Sequence, residues 1–195
     1  LRGVLANALF CVQSHKLNAS LSGLFLRKND FIDIVIRGEA EETIKQIVIG
    51  SSLNSISGLT FRLQSSVVIN GESEIISELD LLPSPILNGD MDDFFSSGNI
   101  PLLSTSRGCL YNCFFCFRSE RYPYVRTHSI ERVKNELMYL IDSGMEELFI
   151  TDDCFIFNKR RFEELARKIA SVNQSRIKLH VMSRLESLNE KNVKL

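Results

Sequence analysis

The sequence predicts an α/β protein in two parts: a partial open α/β domain, followed by the first β/α units of a truncated parallel barrel. Short apolar runs rich in β-branched residues alternate with amphipathic helical stretches, which is typical of sheets built from strand–helix units. A turn-rich stretch divides the chain, and after it the alternation becomes regular. We therefore expect domains at residues 1–71 and 100–195, joined by a linker at residues 72–99.

The first half contains a strand, a turn and a helix in succession. Residues 31–36 are apolar and β-branched, which predicts a buried strand, and residues 40–49 place apolar side chains on one helical face. Gly38 lies in the turn between them, and such a unit is half of a βαβ crossover. Residues 59–70 predict a β-hairpin that turns at Gln64.

The second half repeats a strand, a loop and a helix. Predicted strands lie at residues 100–104, 148–151 and 177–182, while Ser129 and Asn158 are the expected N-caps of the two intervening helices. This order is the repeat of a parallel barrel or of a doubly wound sheet. A complete eight-unit barrel needs roughly 250 residues, so only its first units are expected here.

Composition and the pattern of apolar runs argue against several classes of function. The chain has 195 residues and a formal net charge of −1, which gives no electrostatic case for binding nucleic acid. Its apolar runs are too short to span a bilayer, and Leu1 does not open a signal peptide. Because the chain begins with Leu and carries only the first units of a barrel, we expect an excerpt of a longer protein. Five cysteines, an odd number, favour a metal site in a reducing compartment over disulfides, so we expect the protein in the cytoplasm.

Three of these cysteines share one short loop. Cys109, Cys113 and Cys116 follow a predicted strand, and thiolates are the usual ligands of iron–sulfur clusters. Three ligands leave one iron of a four-iron cluster open to a substrate or cofactor, whereas four would saturate the cluster. The loop also contains aromatic residues that we expect to cover it with apolar surface: Phe114, Phe115 and Phe117.

Zinc is the alternative occupant of this loop. The three cysteines together with His128 or Cys154 could form a tetrahedral site in a non-catalytic zinc-binding module. Structural zinc sites usually combine two separated ligand pairs, and the sequence has no second Cys-x-x-Cys or His pair. The cluster is therefore favoured.

The spacing Cys-x3-Cys-x2-Cys, with an aromatic residue before the last cysteine, resembles the defining motif of the radical S-adenosylmethionine (SAM) superfamily. Segments 34–41, 56–62, 79–83 and 126–155 are similar to the group of that superfamily which carries a cobalamin-binding domain. The resemblance implies a partial cobalamin-binding-like domain at residues 1–71. It also implies the N-terminal part of a radical SAM barrel from residue 100 onward.

The resemblance implies a chemistry and its cofactors. A 4Fe-4S cluster on the three cysteines binds SAM through its open iron, and one electron cleaves the sulfonium to give a 5′-deoxyadenosyl radical that abstracts a substrate hydrogen. The implied partners are a reduced flavodoxin- or ferredoxin-type electron donor and a small-molecule or peptide substrate. The excerpt alone is expected to be inactive, because half a barrel leaves SAM and substrate exposed to water.

The resemblance also implies roles for individual residues. Phe115 packs beside the cluster, and the backbone near Phe117 contacts adenine. Asp152 and Asp153, at a strand end, receive the SAM ammonium, and Arg184 faces the SAM carboxylate. The alternatives are that the acidic pair caps the loop before the next helix and that Arg184 forms a surface salt bridge.

Cobalamin is the cofactor on which the sequence and the resemblance disagree. Such a domain normally has two glycines that let the nucleotide tail approach the backbone. The nearest counterpart here is Val12-Gln13-Ser14-His15, and an isolated histidine such as His15 is more often a surface residue than a cobalt ligand. Cobalamin binding therefore stays open.

Three functions follow, in order of preference. The first is a radical SAM enzyme, either a cobalamin-dependent methyltransferase or a cyclase or other oxidative tailoring enzyme. The second is a methylthiotransferase acting on tRNA or a ribosomal protein, although the N-terminal half supplies only Cys11 for the extra cysteine-bearing domain of that class. The third is the zinc-binding module.

Overall fold

The structure is a computed structural model that describes residues 11–14, 18–116 and 124–188. The chain divides into two compact units, Leu1–Ile76 and Ser77–Leu195. In the described ranges, no helix is both long enough and apolar enough to cross a bilayer.

The first unit is a mixed four-stranded sheet with strand order β1-β2-β3-β4. β1 and β2 are parallel, whereas β2–β3 and β3–β4 are antiparallel. The predicted hairpin is confirmed, with Leu63 opposite Ser66 and Gln64 in the left-handed conformation (φ 55°). Its elements are β1 (Cys11–Ser14), α1 (Ala19–Lys28), β2 (Ile34–Arg37), α2 (Glu41–Val48), β3 (Leu59–Leu63) and β4 (Ser66–Ile69).

All four residues of β2 are buried, and the first three of them, Ile34, Val35 and Ile36, form an apolar run. Ile34 and Ile36 pack with Phe61 in one cluster, and Val35 packs with Leu26 of α1 in another. The alternation follows from the two-residue period of a strand, so this strand needs apolar residues on both faces.

The second unit contains a parallel sheet with strand order β5-β8-β9, which confirms the predicted strand–helix repeat. Ser129 and Asn158 cap their helices as expected, because each side-chain oxygen accepts a backbone N–H three residues on. The elements are α3 (Asp92–Ser96), β5 (Leu102–Leu103), β6 (Ser106–Arg107), β7 (Arg126–Thr127), α4 (Ile130–Asp142), β8 (Glu147–Ile150), α5 (Lys159–Asn173) and β9 (Lys178–Val181).

The stretch at residues 72–99 differs from the linker expected there. Leu79, Ile86 and Phe95 are buried, and the last two belong to the core that also contains Leu137 of α4 and Leu165 of α5. Proline- and glycine-rich turns indicated a connector, but turns also shape segments that pack against a core.

Candidate functional site at the carboxyl edge of the second sheet

The cysteine loop lies between two paired strands. β6 and β7 are antiparallel, with Ser106 opposite Thr127 and Arg107 opposite Arg126, so the chain enters and leaves the loop side by side. β5, β8 and β9 run parallel, and in such sheets ligands bind at the carboxyl ends of the strands. We call the pairs Ser106–Thr127 and Arg107–Arg126 the stem of the cysteine loop.

The three loop cysteines are free thiols, and each is half-buried. The N–H of Cys116 donates to the carbonyl of Cys113 at 2.9 Å, which closes a tight turn. Among the residues that the structure describes, no three side chains of His, Cys, Asp or Glu lie close enough together to hold a metal ion. The loop therefore supplies the donor set of an iron–sulfur site without drawing its thiols to one point.

Cys109 lies among acidic and sulfur groups. Burial raises the pKa of its thiol, a hydrogen bond from the Tyr111 backbone opposes that rise, and the charges of Cys154, Asp153 and Cys116 add to it. Binding iron requires the thiolate, so metal must displace a proton that this environment retains.

Phe114 and Phe115 do not cover the cysteine loop. The side chains of Phe114 and Phe115 are 99% and 79% exposed, and their rings contact each other edge to face with centroids 5.4 Å apart. They occupy the tip of the turn between Cys113 and Cys116, which directs them outward. The expected apolar cover is wrong for these two rings, and Phe117 lies outside the described residues.

Asp152 is completely buried, and its carboxylate is fully used inside the protein. Oδ1 accepts the backbone N–H groups of Thr105 and Ser106 at 2.7 and 3.0 Å. Oδ2 accepts the hydroxyls of the same two residues. Four hydrogen bonds saturate a carboxylate, so the expected SAM contact is corrected for Asp152: this side chain anchors the segment just before the cysteine loop.

Asp153 is the half-buried member of the acidic pair. Its charge raises the pKa of the Cys109 thiol, so the two side chains are near enough to interact electrostatically. The expected contact between Asp153 and the SAM ammonium stays a prediction.

Arg184 contacts the cysteine loop. Its Nη1 donates to the Cys113 sulfur at 3.5 Å, and its guanidinium carbon lies 4.2 Å from the centroid of the Tyr111 ring. Nη2 and Nε also bind the Glu186 carboxylate at 2.8 and 3.2 Å. The salt bridge foreseen as the alternative is present, and Arg184 joins the end of β9 to the loop as well.

Each of the two candidate fourth ligands for zinc has a polar neighbour of its own. His128 Nδ1 lies 2.8 Å from Asp80 Oδ1, and the buried sulfur of Cys154 lies 3.8 Å from the Ser183 hydroxyl. The described residues thus give the zinc module no four-ligand site.

Sequence reasoning missed Thr105, Ser106 and Arg161. Nη2 of Arg161 donates to the carbonyls of Thr105 and His128, both at 3.0 Å. Two hydroxyl residues directly after a strand and directly before the cysteine loop were the available signal, but their buried partner lies 46 and 47 residues away.

In the first unit, the residues at the carboxyl end of β1 are those where a cobalamin-binding domain would have its glycines. The Gln13 side chain donates to the Gly38 carbonyl at 2.7 Å, so it bridges the ends of β1 and β2. A glycine there would leave this position open. His15 lies outside the described residues.

Comparisons with known proteins identify a matching family and similar sequences. The family model described as the radical SAM superfamily matches residues 103–195. An uncharacterized methyltransferase from Pyrococcus horikoshii is 33% identical over 179 residues, covering 88% of this chain and 39% of that protein. The cobalamin-dependent radical SAM methyltransferase TokK of Streptomyces tokunonensis is 26% identical over 153 residues, covering 72% of this chain and 22% of that protein.

A solved structure shares the fold. The radical SAM methyltransferase TsrM from Kitasatospora setae, solved with cobalamin and a [4Fe-4S] cluster bound, superposes with a TM-score of 0.70 at 14% identity, over 99% of this chain and 41% of that chain. The chain spans less than half the length of each of these three proteins.

Proposed function

Through residues 103–195 the chain belongs to the radical SAM superfamily, and on this premise we propose that Cys109, Cys113 and Cys116 hold a 4Fe-4S cluster that binds SAM. The observation that carries the proposal is the presence of three free thiols in one loop between paired strands. Soft thiolates suit iron–sulfur clusters, and three of them leave one iron open. The chemistry that such a cluster supplies is the reductive, one-electron cleavage of SAM.

The residues proposed to bind SAM are those that the resemblance implies, without Asp152. Asp153 is assigned the ammonium group, because it is partly accessible and acts on Cys109. Arg184 is assigned the carboxylate, and its two-point contact with Glu186 is the geometry in which a guanidinium meets such a group. Phe115 and the backbone at Phe117 are assigned to the cluster and the adenine, as the resemblance implies.

For the whole protein we propose methyl transfer to a small-molecule or peptide substrate. The support is that the relatives described above are named methyltransferases. The reaction needs a reduced flavodoxin- or ferredoxin-type donor, and free thiols at all five cysteines suit a reducing compartment such as the cytoplasm. Residues 1–71 correspond in this proposal to a partial cobalamin-binding-like domain, and residues from 100 onward to the barrel.

Cobalamin is a poorer fit than the cluster, and no step is assigned to it. The Gln13 side chain lies across the ends of β1 and β2. The matched test compares wild type with Gln13→Gly for cobalamin retained after gel filtration. We expect more retention by the variant, and equal retention would show that Gln13 is no obstacle.

The test of the cluster uses the longer protein that contains this chain, purified and reconstituted with iron and sulfide without oxygen. We expect iron–sulfur absorption and an EPR signal that changes when SAM is added. Ala variants of Cys109, Cys113 and Cys116 should each lose iron, whereas Cys11→Ala should retain it. Stoichiometric zinc without iron–sulfur absorption would contradict the proposal, and a cluster whose signal ignores SAM would contradict the SAM assignment.

A further inference from the structure

We propose that Asp152 is a positioning residue that fixes the stem of the cysteine loop through Thr105 and Ser106. The inference deepens the proposed function and rests on it, because the loop is assigned there as the cluster-binding element. It also separates the acidic pair: the Asp152 carboxylate builds the site, whereas the SAM contact proposed above is assigned to Asp153.

The first argument is the completeness of the contact. Oδ1 of Asp152 accepts the two backbone N–H groups of Thr105 and Ser106, and Oδ2 accepts their two hydroxyls. The carboxylate is 0% exposed, so water does not compete for these bonds. Hydrogen bonds to a buried charge are stronger than neutral ones, and leaving one donor unpaired carries a desolvation cost.

The second argument is that other groups converge on the same residue. The Thr105 carbonyl accepts the backbone N–H of His128 and Nη2 of Arg161, each at 3.0 Å. The N–H, the carbonyl and the hydroxyl of Thr105 are therefore all bound to other parts of the second unit. Arg161 also binds the His128 carbonyl, so it holds both sides of the stem where the chain enters and leaves it.

The third argument is the contrast between the stem and the loop it carries. Cys109 follows Ser106 by three residues, a span of at most about 10 Å. The position of the first thiol is therefore limited by the stem, while the tip of the loop is exposed at Phe114 and Phe115. A fixed stem lets a loop with an exposed tip deliver three thiolates to one cluster.

The experiment compares matched threonine substitutions in the longer protein. Thr105→Val removes the hydroxyl that binds Asp152 and keeps the side-chain shape, whereas Thr105→Ser keeps the hydroxyl. Thr151→Val is the control, because the Thr151 hydroxyl makes a single contact of 3.4 Å with the Leu103 carbonyl. Asp152→Asn is added, with circular dichroism and thermal melting to show that each variant folds.

The first readout uses protein without a cluster. Hydrogen exchange of the amides of Arg107 and Arg126 reports opening of the stem, and amides in α4 serve as the internal reference. We expect Thr105→Val to accelerate exchange in the stem by about tenfold, the effect of losing one hydrogen bond to a charged group. Thr105→Ser and Thr151→Val should match wild type, and unchanged stem exchange in Thr105→Val would overturn the proposal.

The second readout is the reconstituted cluster. We expect Thr105→Val and Asp152→Asn to lose iron and to show a broadened or shifted EPR signal, with Thr105→Ser restoring the wild-type spectrum. Wild-type iron content and spectrum in both defective variants would overturn the positioning role. If wild type itself takes up no cluster, the proposed function fails, and the exchange measurement still decides whether Asp152 fixes the stem.

Discussion

The carboxyl ends of the strands are built in opposite ways in the two units. In the first unit the fully buried cation Arg37, at the end of β2, binds the Asn70 and Gly71 carbonyls and the Glu72 carboxylate. In the second unit the fully buried anion Asp152, just past β8, binds Thr105 and Ser106. One buried charge fixes a segment across a strand end, and the other fixes the stem of a loop.

A buried charged side chain at a strand end therefore has a different consequence in each unit. Around Arg37 the fixed segment closes over β2, since the Ser73 hydroxyl also donates to the Arg37 carbonyl at 2.9 Å. Around Asp152 the fixed segment leads into a loop whose thiols stay half-buried. The contacts of Arg37 hold a segment against the end of β2. The contacts of Asp152 hold only the stem, so the cysteine side chains beyond it stay partly accessible.

The largest effect is expected from removing the cation. Arg37→Met should lower the free energy of unfolding of the first unit by about 3–5 kcal/mol, because the buried Leu59 carbonyl, the partly buried Asn70 and Gly71 carbonyls and the Glu72 carboxylate lose their donor at once. Urea unfolding followed by circular dichroism measures the change. Lys45→Met is the control, since Lys45 forms only an exposed pair with Glu42 at 3.2 Å and should change little. Equal effects would show that the buried cation has no special role.

A substitution at Gly58 tests how closely the segment that contains Ser73 packs against the end of β2. A Cβ at this residue would lie 2.7 Å from the Ser73 Cβ and 3.1 Å from the Arg37 carbonyl oxygen, and φ is +77°. Gly58→Ala should destabilise by about 2–4 kcal/mol, combining left-handed backbone strain with overpacking.

Gly50→Ala separates these two contributions. Gly50 has φ +80° and nothing within 4 Å of the added Cβ. It should cost about 1–2 kcal/mol from the backbone alone. If thermal melting gave the same loss for both variants, the close contact with Ser73 would be unimportant.

A smaller effect is expected where a comparable carboxylate is exposed. Burial raises the pKa of Asp80, but hydrogen bonds from Ser129 and His128 outweigh it and lower the pKa overall. Asp80→Asn should therefore cost about 1 kcal/mol, the usual worth of one such interaction.

The pH dependence follows from the direction of this shift. A lowered pKa in the folded state contributes stability that is complete above the ordinary Asp pKa of about 3.9 and is lost as pH falls through the folded value. Thermal melts from about pH 5 to about pH 2.5 should show a shallower acid loss for Asp80→Asn than for wild type. Parallel curves would contradict the assignment.

The smallest effect on folding, with a distinct effect on the cluster, is expected at Arg184. Arg184→Gln removes a cation and a donor beside the Cys113 sulfur, so the reduction potential of a reconstituted cluster should fall. Redox titration followed by EPR measures it, and Glu186→Gln, which leaves the donor to sulfur in place, should shift the potential less. An unchanged potential in Arg184→Gln would remove Arg184 from the electrostatics of the site.

The features that sequence alone predicted correctly are local ones. Ser129 and Asn158 cap helices through hydrogen bonds to the N–H three residues later in the chain. Gln64 lies in the turn of a hairpin whose two strands are adjacent in sequence. Residue type and short spacing carry that information, as they do for the strand–helix order, while the assignment of the three cysteines to a cluster stays a prediction.

The features that sequence did not predict depend on distant partners. The role of Asp152 depends on Thr105 and Ser106, which lie 47 and 46 positions earlier in the sequence. The sequence does not show that Asp152 is buried and that its neighbour Asp153 is less so. The packing of Ile86 and Phe95 within a turn-rich segment, and the outward direction of Phe114 and Phe115, likewise depend on tertiary contacts. One sequence without aligned relatives carries no record of such pairs.

The separation between Thr105 and Asp152 also has a consequence during biosynthesis. The cysteine loop is translated before β8, and translation at about 5–20 residues per second leaves roughly 2–9 seconds before Asp152 is added. During that interval the thiols are part of a nascent chain whose stem has no anchor. Cluster insertion should therefore follow the emergence of β8 from the ribosome, and chains halted before that strand should capture iron poorly.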